Sequence, residues 1–310
     1  MMPHARSIIS CCWVAAVFFA SLIPLPMTVL AQQSSESSTL TQPLKVMSFN
    51  IRYGAAPDGE NHWDHRANLV AETIQVFDPD LLGTQEVLKF QAEFLQQQLP
   101  GYAFHGVGRQ DGTEEGEYVP VMYRKSRFEL VDSGFYWLSE TPDVAGSKSW
   151  DSSLPRMASW VQLRDRNANN AEFVFINTHF DHRGQTARLE SARLIRRHVE
   201  KLQQQNIPVV VVGDFNTNED GKPYQALLNG SDGGSVSLVD TYRQSHPQRS
   251  KRESSFGSWK GNREGSRIDW ILHSPEFKTL VSSINYTNED GRYPSDHYPV
   301  QAVLRLKTKD

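Results

Sequence analysis

The stretch Pro208-Val-Val-Val-Val-Gly-Asp-Phe-Asn216 limits what this chain can fold into more than any other. Four successive valines leave no polar face, so the run predicts a strand covered on both sides, of the kind found inside layered α/β proteins. It stops at Gly213, where the backbone can turn or approach a ligand closely. Asp214 and Asn216 follow, and side chains two apart on an extended segment point the same way. A carboxylate and a carboxamide aimed at one spot can hold a metal ion, orient a water or donate hydrogen bonds to an oxyanion. The plainer account of the same residues is an Asx turn capping the strand.

The device recurs along the chain. Leu44 to Ile51 reads as a strand closing near Asn50, Asp80 to Glu86 as one ending on Glu86, and Phe173 to His179 as one carrying Asn177 and His179. Asp269 sits in the apolar run Ile268 to Leu272, and Asp296-His297 precedes a terminal strand, Tyr298 to Leu306. Val119–Arg124, Phe128–Leu138, Ala158–Arg164 and Val281–Tyr286 supply further strands. Trp63–Phe77, Leu88–Leu99 and Gln185–Gln205 have helical spacing and recognisable stops, such as Asp78-Pro79 and Pro100-Gly101. Strands interleaved with helices and hairpin-like pairs imply a mixed α/β sandwich, and ligands of open α/β sheets gather at strand ends.

Several of these residues admit two readings. Glu86 after Leu81-Leu82-Gly83 is either a metal ligand or a surface glutamate. Asp269 inside an apolar strand needs a partner, because an unpaired buried charge is costly; that partner is either an arginine such as Arg267 or a histidine that Asp269 orients. His297 is either a turn residue or the imidazole that completes this base-and-orienter pair. Glu117 is the corresponding candidate partner for His179. Oxygen ligands such as Glu86 and Asp296, without a thiolate, favour Mg²⁺, Mn²⁺ or Ca²⁺ over zinc.

Composition sets further bounds. Arg6, the apolar run Ile8–Leu30 and Val29-Leu-Ala31 predict a secretory signal over residues 1–31, the competing reading being an uncleaved anchor. Export would be outside the cell or to the periplasm, with no membrane span left in the mature chain. Cys11 and Cys12 are the only cysteines, so the mature chain would have no disulfide or thiolate chemistry. Residues 32–43 read as a polar, mobile leader, and 44–310 as one domain, expected to act as a monomer. The formal charge of −4 argues against gripping long nucleic acid through phosphate charge alone.

Phe49-Asn-Ile51, Gly83-Thr-Gln-Glu86, Asn177-Thr-His179, Gly213-Asp-Phe-Asn216, Arg267-Ile-Asp-Trp-Ile-Leu272 and Ser295-Asp-His297 together resemble the ordered motif series of the endonuclease/exonuclease/phosphatase, or DNase I-like, superfamily. The resemblance spans nearly all of Lys45 to Leu306. It implies a four-layered sandwich of two packed sheets flanked by helices and divalent-metal-dependent cleavage of a phosphate ester. It further implies Glu86 as principal metal ligand with Asn50 and Asp296 nearby, Asp214 orienting the attacking water, Asn216 on the phosphoryl oxygen, and Asp269 with His297 at the attacking side. His179, paired with Glu117, would protonate the leaving group. Arg109, Arg156 and Asn177 are the expected substrate contacts, although either arginine is equally at home in a structural role. Asn50-Ile-Arg-Tyr-Gly54, Arg66 and His179-Phe-Asp-His182 are most similar to bacterial secreted metal-dependent hydrolases of the superfamily. A nuclease, a sphingomyelinase-like phospholipase C acting on lipid headgroups, and a catalytically idle binding module are the alternatives. The loop Ser254–Gly261 is a candidate substrate loop, and Trp63 and Trp137 either stack a ligand or pack the core.

Overall fold

The computed structural model describes residues 41–229 and 237–307; the expected signal peptide, and the leader up to residue 40, lie outside the described residues. Two six-stranded mixed sheets carry the fold. The first contains β1 (Leu44–Asn50), β2 (Leu81–Gln85), β3 (Tyr102–His105) and β4 (Val121–Arg124), with β11 (Phe277–Ile284) and β12 (Val300–Leu306), in the order β11-β12-β1-β2-β4-β3. The second runs β5-β6-β7-β8-β10-β9 and is built from β5 (Phe128–Trp137), β6 (Met157–Asp165), β7 (Ala171–His179), β8 (Val209–Asp214), β9 (Val239–Asp240) and β10 (Asp269–His273).

The valine run explains the layering. Val210 and Val212 face the other sheet, in a cluster with Phe173, Phe175, Leu81 and Val46. Val209 and Val211 face outward, against Ala192, Ile195 and Val199 of α3 (Gln185–Gln204). Alternate residues thus enter different cores, which is why no position in the run tolerates a polar side chain. On the far side of the first sheet, Met47, Phe49 and Leu82 meet Trp63, Val70 and Ile74 of α1 (Trp63–Phe77) and Leu95 of α2 (Lys89–Gln98). The layers are therefore helix, sheet, sheet, helix, as expected.

Local chemistry sets the element ends. α1 stops at Asp78, whose left-handed backbone (φ 53°) is followed by Pro79, and the Asp78 amide still donates to Ile74 O. The sequence pattern did not resolve β3, β9 or the short helices α4 (Lys222–Asn229) and α5 (Thr241–Ser245). The last three leader residues are held in place: Thr41 donates to Leu306 O, and the Gln42 and Pro43 carbonyls accept from Arg127. Trp63 and Trp137 are buried, so both are packing residues.

Candidate active site

The inward stripe that forms the inter-sheet core turns polar at one end. On β1, Val46 and Ser48 lead to Asn50; on β7, Phe173 and Phe175 lead to Asn177 and His179; on β8, Val210 and Val212 lead to Asp214. His179 lies beside Asp214 in the parallel β7–β8 pair, and Asp269, at the start of β10, is opposite Asp214 in the antiparallel β8–β10 pair. Glu86, one residue past β2, has φ 61°, a conformation uncommon for a residue with a long side chain and usual where function requires it.

Glu86, Asp214 and His297 each present a ligand atom, and these atoms lie within 4.8 Å of one another. The Asn50 amide bridges the two carboxylates, donating to Glu86 Oε1 at 3.0 Å and Asp214 Oδ2 at 2.9 Å. His297 Nδ1 meets Asp269 Oδ2 at 3.0 Å, leaving Nε2 3.7 Å from Asp214 Oδ2. Burial opposes charge on His297, but Asp269 and Asp214 together raise its proton affinity well above the usual imidazole range. Asp214 is pushed up to about 7, first by burial and then by the neighbouring Asp269. Asp269 Oδ1 is buried without a partner. Negative charge therefore exceeds what local protein cations offset, and the oxygen-rich donor set fits a hard divalent ion. Asp296 sits nearby with Oδ2 3.7 Å from Arg52, and Ser295 Oγ donates to Asn50 O at 2.7 Å and lies 3.2 Å from Asp296 Oδ1.

The site opens into a cavity of about 530 Å³ that includes Glu117, Arg156, His179 and Asn216. Asn216 donates to Phe180 O at 3.1 Å, which fixes its amide orientation, and to His179 Nε2 at 3.0 Å. Nε2 is thus an acceptor and the His179 proton resides on Nδ1, where Glu117 Oε2 is 3.9 Å away. Burial, followed by Arg156 and Arg109, keeps this imidazole neutral, its pKa well below the ordinary value. Arg156 contacts His182 Nδ1 at 3.0 Å through one terminal nitrogen, while the other, Nη1, is buried without a partner.

Two expected substrate contacts are placed elsewhere. Asn177 is fully buried between the sheets, where it donates to Thr84 O and Pro120 O, both at 2.8 Å, and accepts from Gln85 at 2.6 Å. It fills the space left by Gly83, where a Cβ would lie 2.8 Å from its carboxamide. With its donors and acceptor engaged, Asn177 joins the two sheets rather than contacting a ligand. Arg109 spends both terminal nitrogens on Glu117, at 2.8 and 2.7 Å, and so acts behind that carboxylate.

Other residues emerge only from the coordinates. Arg52, also at positive φ (63°), forks onto Asp58 with two 2.9 Å bonds and borders the cavity. Arg66, buried on α1, donates to Ile51 O, Asn61 O and Pro294 O at 2.7–2.9 Å and to Arg52 O at 3.3 Å, tying the segment after β1 to the one before Asp296. Asp181 accepts from the Arg183 and Gly184 amides and from Ser153, which positions His182 at the cavity. The only sequence signal for these residues was their place in short motifs. Phe256 of the candidate substrate loop is 40% exposed, lines the cavity and meets the His297 ring edge-on at 5.0 Å. No helix among the described residues is long and apolar enough to cross a membrane.

The sequence profile of the Endonuclease/Exonuclease/phosphatase family matches residues 47–297. An endonuclease/exonuclease/phosphatase family protein from Bacteroides thetaiotaomicron is 34% identical and superposes with a TM-score of 0.76, covering 86% of this chain and 99% of that one. A mannosyl-6-phosphatase from the same organism is also 34% identical, with a TM-score of 0.75 over 84% of this chain and 99% of its own. Nocturnin from Rattus norvegicus is 23% identical over 86% of this chain, which spans 65% of that relative's length.

Proposed function

Since this chain belongs to the endonuclease/exonuclease/phosphatase family and is a phosphoesterase of that kind, we propose that it hydrolyses the phosphomonoester of a sugar with the assistance of a divalent metal, Mg²⁺ or Mn²⁺ being the best fit to its oxygen ligands. The observation that carries the reading is the convergence of Glu86, Asp214 and His297 in one cavity with Arg52 and Arg156, whose Nη1 is buried and unspent. A terminal phosphate dianion presents enough oxygens to use both arginines and an ion. The likeness to a mannosyl-6-phosphatase points to the sugar.

Glu86 and Asp214 would hold the ion, with Asn50 and Asp296 nearby, leaving His297 Nε2 free for a proton; such an ion would offset the carboxylate charge and supply polarisation of a phosphoryl oxygen. The protein's own groups supply the rest. Asp214 orients a water for in-line attack; with the carboxylate charge that raises its proton affinity offset, His297 would be neutral and Nε2 would take the released proton, Asp269 stabilising the imidazolium through Nδ1. Arg156 offsets charge on the phosphoryl oxygens. His179 holds its proton on Nδ1, so donation from Nε2 to the leaving oxygen requires Asn216 to release the ring and the proton to be relocated. Asn50 keeps Glu86 and Asp214 apart at a fixed spacing.

A nuclease is the second reading, favoured by Phe256, an exposed ring beside His297 on which a base can stack. Export of the chain is proposed from residues 1–31 alone, and N-terminal sequencing of the protein after secretion tests it. For the enzyme, release of phosphate from mannose 6-phosphate, of shortened fragments from single-stranded DNA and of phosphocholine from sphingomyelin is compared with and without EDTA. Metal-dependent turnover confined to the sugar phosphate is expected. Turnover of DNA alone would move the assignment to the nuclease, and equal rates in EDTA would remove the metal.

A further inference from the structure

A second cavity, of about 660 Å³, lies on the outer face of the second sheet, away from the residues of the catalytic cluster. Its floor is aromatic. Trp160 of β6 pairs in register with Gly134 of β5, and a Cβ at Gly134 would lie 2.9–3.0 Å from the Trp160 indole. The glycine therefore lets the ring lie flat over the neighbouring strand, close to His198 (5.7 Å between centroids), which itself stacks on Tyr136 at 5.2 Å. Trp150, from the β5–β6 loop, also borders the cavity and is held at φ 57°, a left-handed backbone that a bulky aromatic rarely adopts.

The polar groups carry opposite charges. Arg197 and Lys201, with Leu194 and His198, form one face of α3 and contribute cations; Glu140 and Asp143, from the β5–β6 loop, contribute anions. Tyr136 Oη and His198 Nε2 are buried without hydrogen-bond partners. This set disfavours a ligand with net charge, since either sign meets its like on the cavity wall. A neutral polyhydroxylated ring uses all of it: hydroxyls donate to the carboxylates and accept from the cations, and the apolar face of the ring lies on indole. The volume is in the range that holds a small ligand.

We propose that this cavity is a binding site for a neutral saccharide unit, separate from the catalytic cavity. The β5–β6 loop borders both, with Glu140, Asp143 and Trp150 here and Leu154 and Arg156 at the catalytic cavity. Arg156 and Trp160 are four positions apart along extended chain, roughly 13 Å. Resting on the sugar-phosphatase reading, the site would engage a further sugar unit of a phosphorylated glycan.

The test is calorimetry and tryptophan fluorescence of the full chain, without metal or turnover, titrated with mannose, glucose, galactose, N-acetylglucosamine and mannobiose. Saturable binding of at least one saccharide is expected, weakened about tenfold or more in Trp160→Ala and in Gly134→Val and retained in Trp160→Phe. Asp143→Ala and Arg197→Ala, both at exposed positions, weaken the same binding if Trp160→Ala fails to fold. Hydrolysis of mannose 6-phosphate stays within about twofold in Asp143→Ala, while KM for a phosphorylated oligosaccharide rises. Absence of binding across the panel, or binding indifferent to all of these variants, overturns the site. Because binding is read without catalysis, that failure leaves the phosphoesterase reading standing; loss of turnover with intact saccharide binding does the converse.

Discussion

Replacing Arg66 by methionine tests whether the catalytic loops are held together by one buried guanidinium. The side chain is 1% exposed and makes three bonds of 2.7–2.9 Å to carbonyls on either side of the site, with a fourth, longer one to Arg52 O. Hydrogen bonds from a charged donor contribute about 1.5–3 kcal/mol each, so three of good geometry amount to roughly 5–9 kcal/mol. Burial, only partly offset by Asp296 and Asp58, costs part of this: the guanidinium pKa is lowered to about 10, equivalent to about 3 kcal/mol at 1.36 kcal/mol per unit. Methionine recovers that cost and fills similar space but leaves Ile51 O, Asn61 O and Pro294 O without their donor. The expected loss is therefore about 2–6 kcal/mol, read as a lower urea midpoint at unchanged slope. Asn50 and Asp296 flank the tied segments, so turnover should also fall by more than about tenfold at a temperature where the variant remains folded. A midpoint within about 0.5 kcal/mol of the parent, or full activity in a destabilised variant, would refute the reasoning.

Asp214→Asn should separate stability from function. It removes one of two facing buried carboxylates, so without divalent ions the melting temperature should rise while turnover falls by about a thousandfold; a lower melting temperature in EDTA would contradict the charge accounting. Divalent ions should raise the melting temperature of the parent protein and have a much smaller effect in Glu86→Gln, since only a site that binds the folded state stabilises it. His179 is a base whose folded-state pKa is depressed, so the unfolded chain takes up a proton below about pH 6.5 that the native state refuses. Its contribution is complete above that pH and lost as pH falls, by about 1.4 kcal/mol per unit until its folded pKa is reached. His179→Gln should flatten the acid limb of stability measured by urea unfolding between pH 7 and 5; an unchanged limb would assign it to other groups.

What the sequence disclosed follows from which interactions are local. The valine run, the Trp63–Phe77 helix and the strand-end carboxylates rest on periods of two and 3.6 residues, and each is found where the pattern put it. Asn177 shows the limit of that reasoning. It shares an inward face with His179 on β7, but one pleat deeper, so it meets Thr84, Gln85 and Pro120 of the facing sheet. Nothing in its own neighbourhood distinguishes a cavity from an inter-sheet seam. Arg66 and Arg109 were similarly opaque, since their partners are carbonyls or carboxylates brought together by the fold. The strand β3, four residues long, and the helix α5, five, are too short to display a period, whereas α4 does place Pro223, Tyr224 and Leu227 at helical spacing on its buried face.

The backbone of Glu86 carries a consequence for redesigning this centre. Aspartate would occupy the φ of 61° with greater ease, since short polar side chains are the usual occupants of that region. Its carboxylate, however, would be withdrawn by one methylene, about 1.5 Å, from Asp214 and His297. Conformational comfort and reach are opposed at this position, and the longer residue is the one whose oxygen arrives.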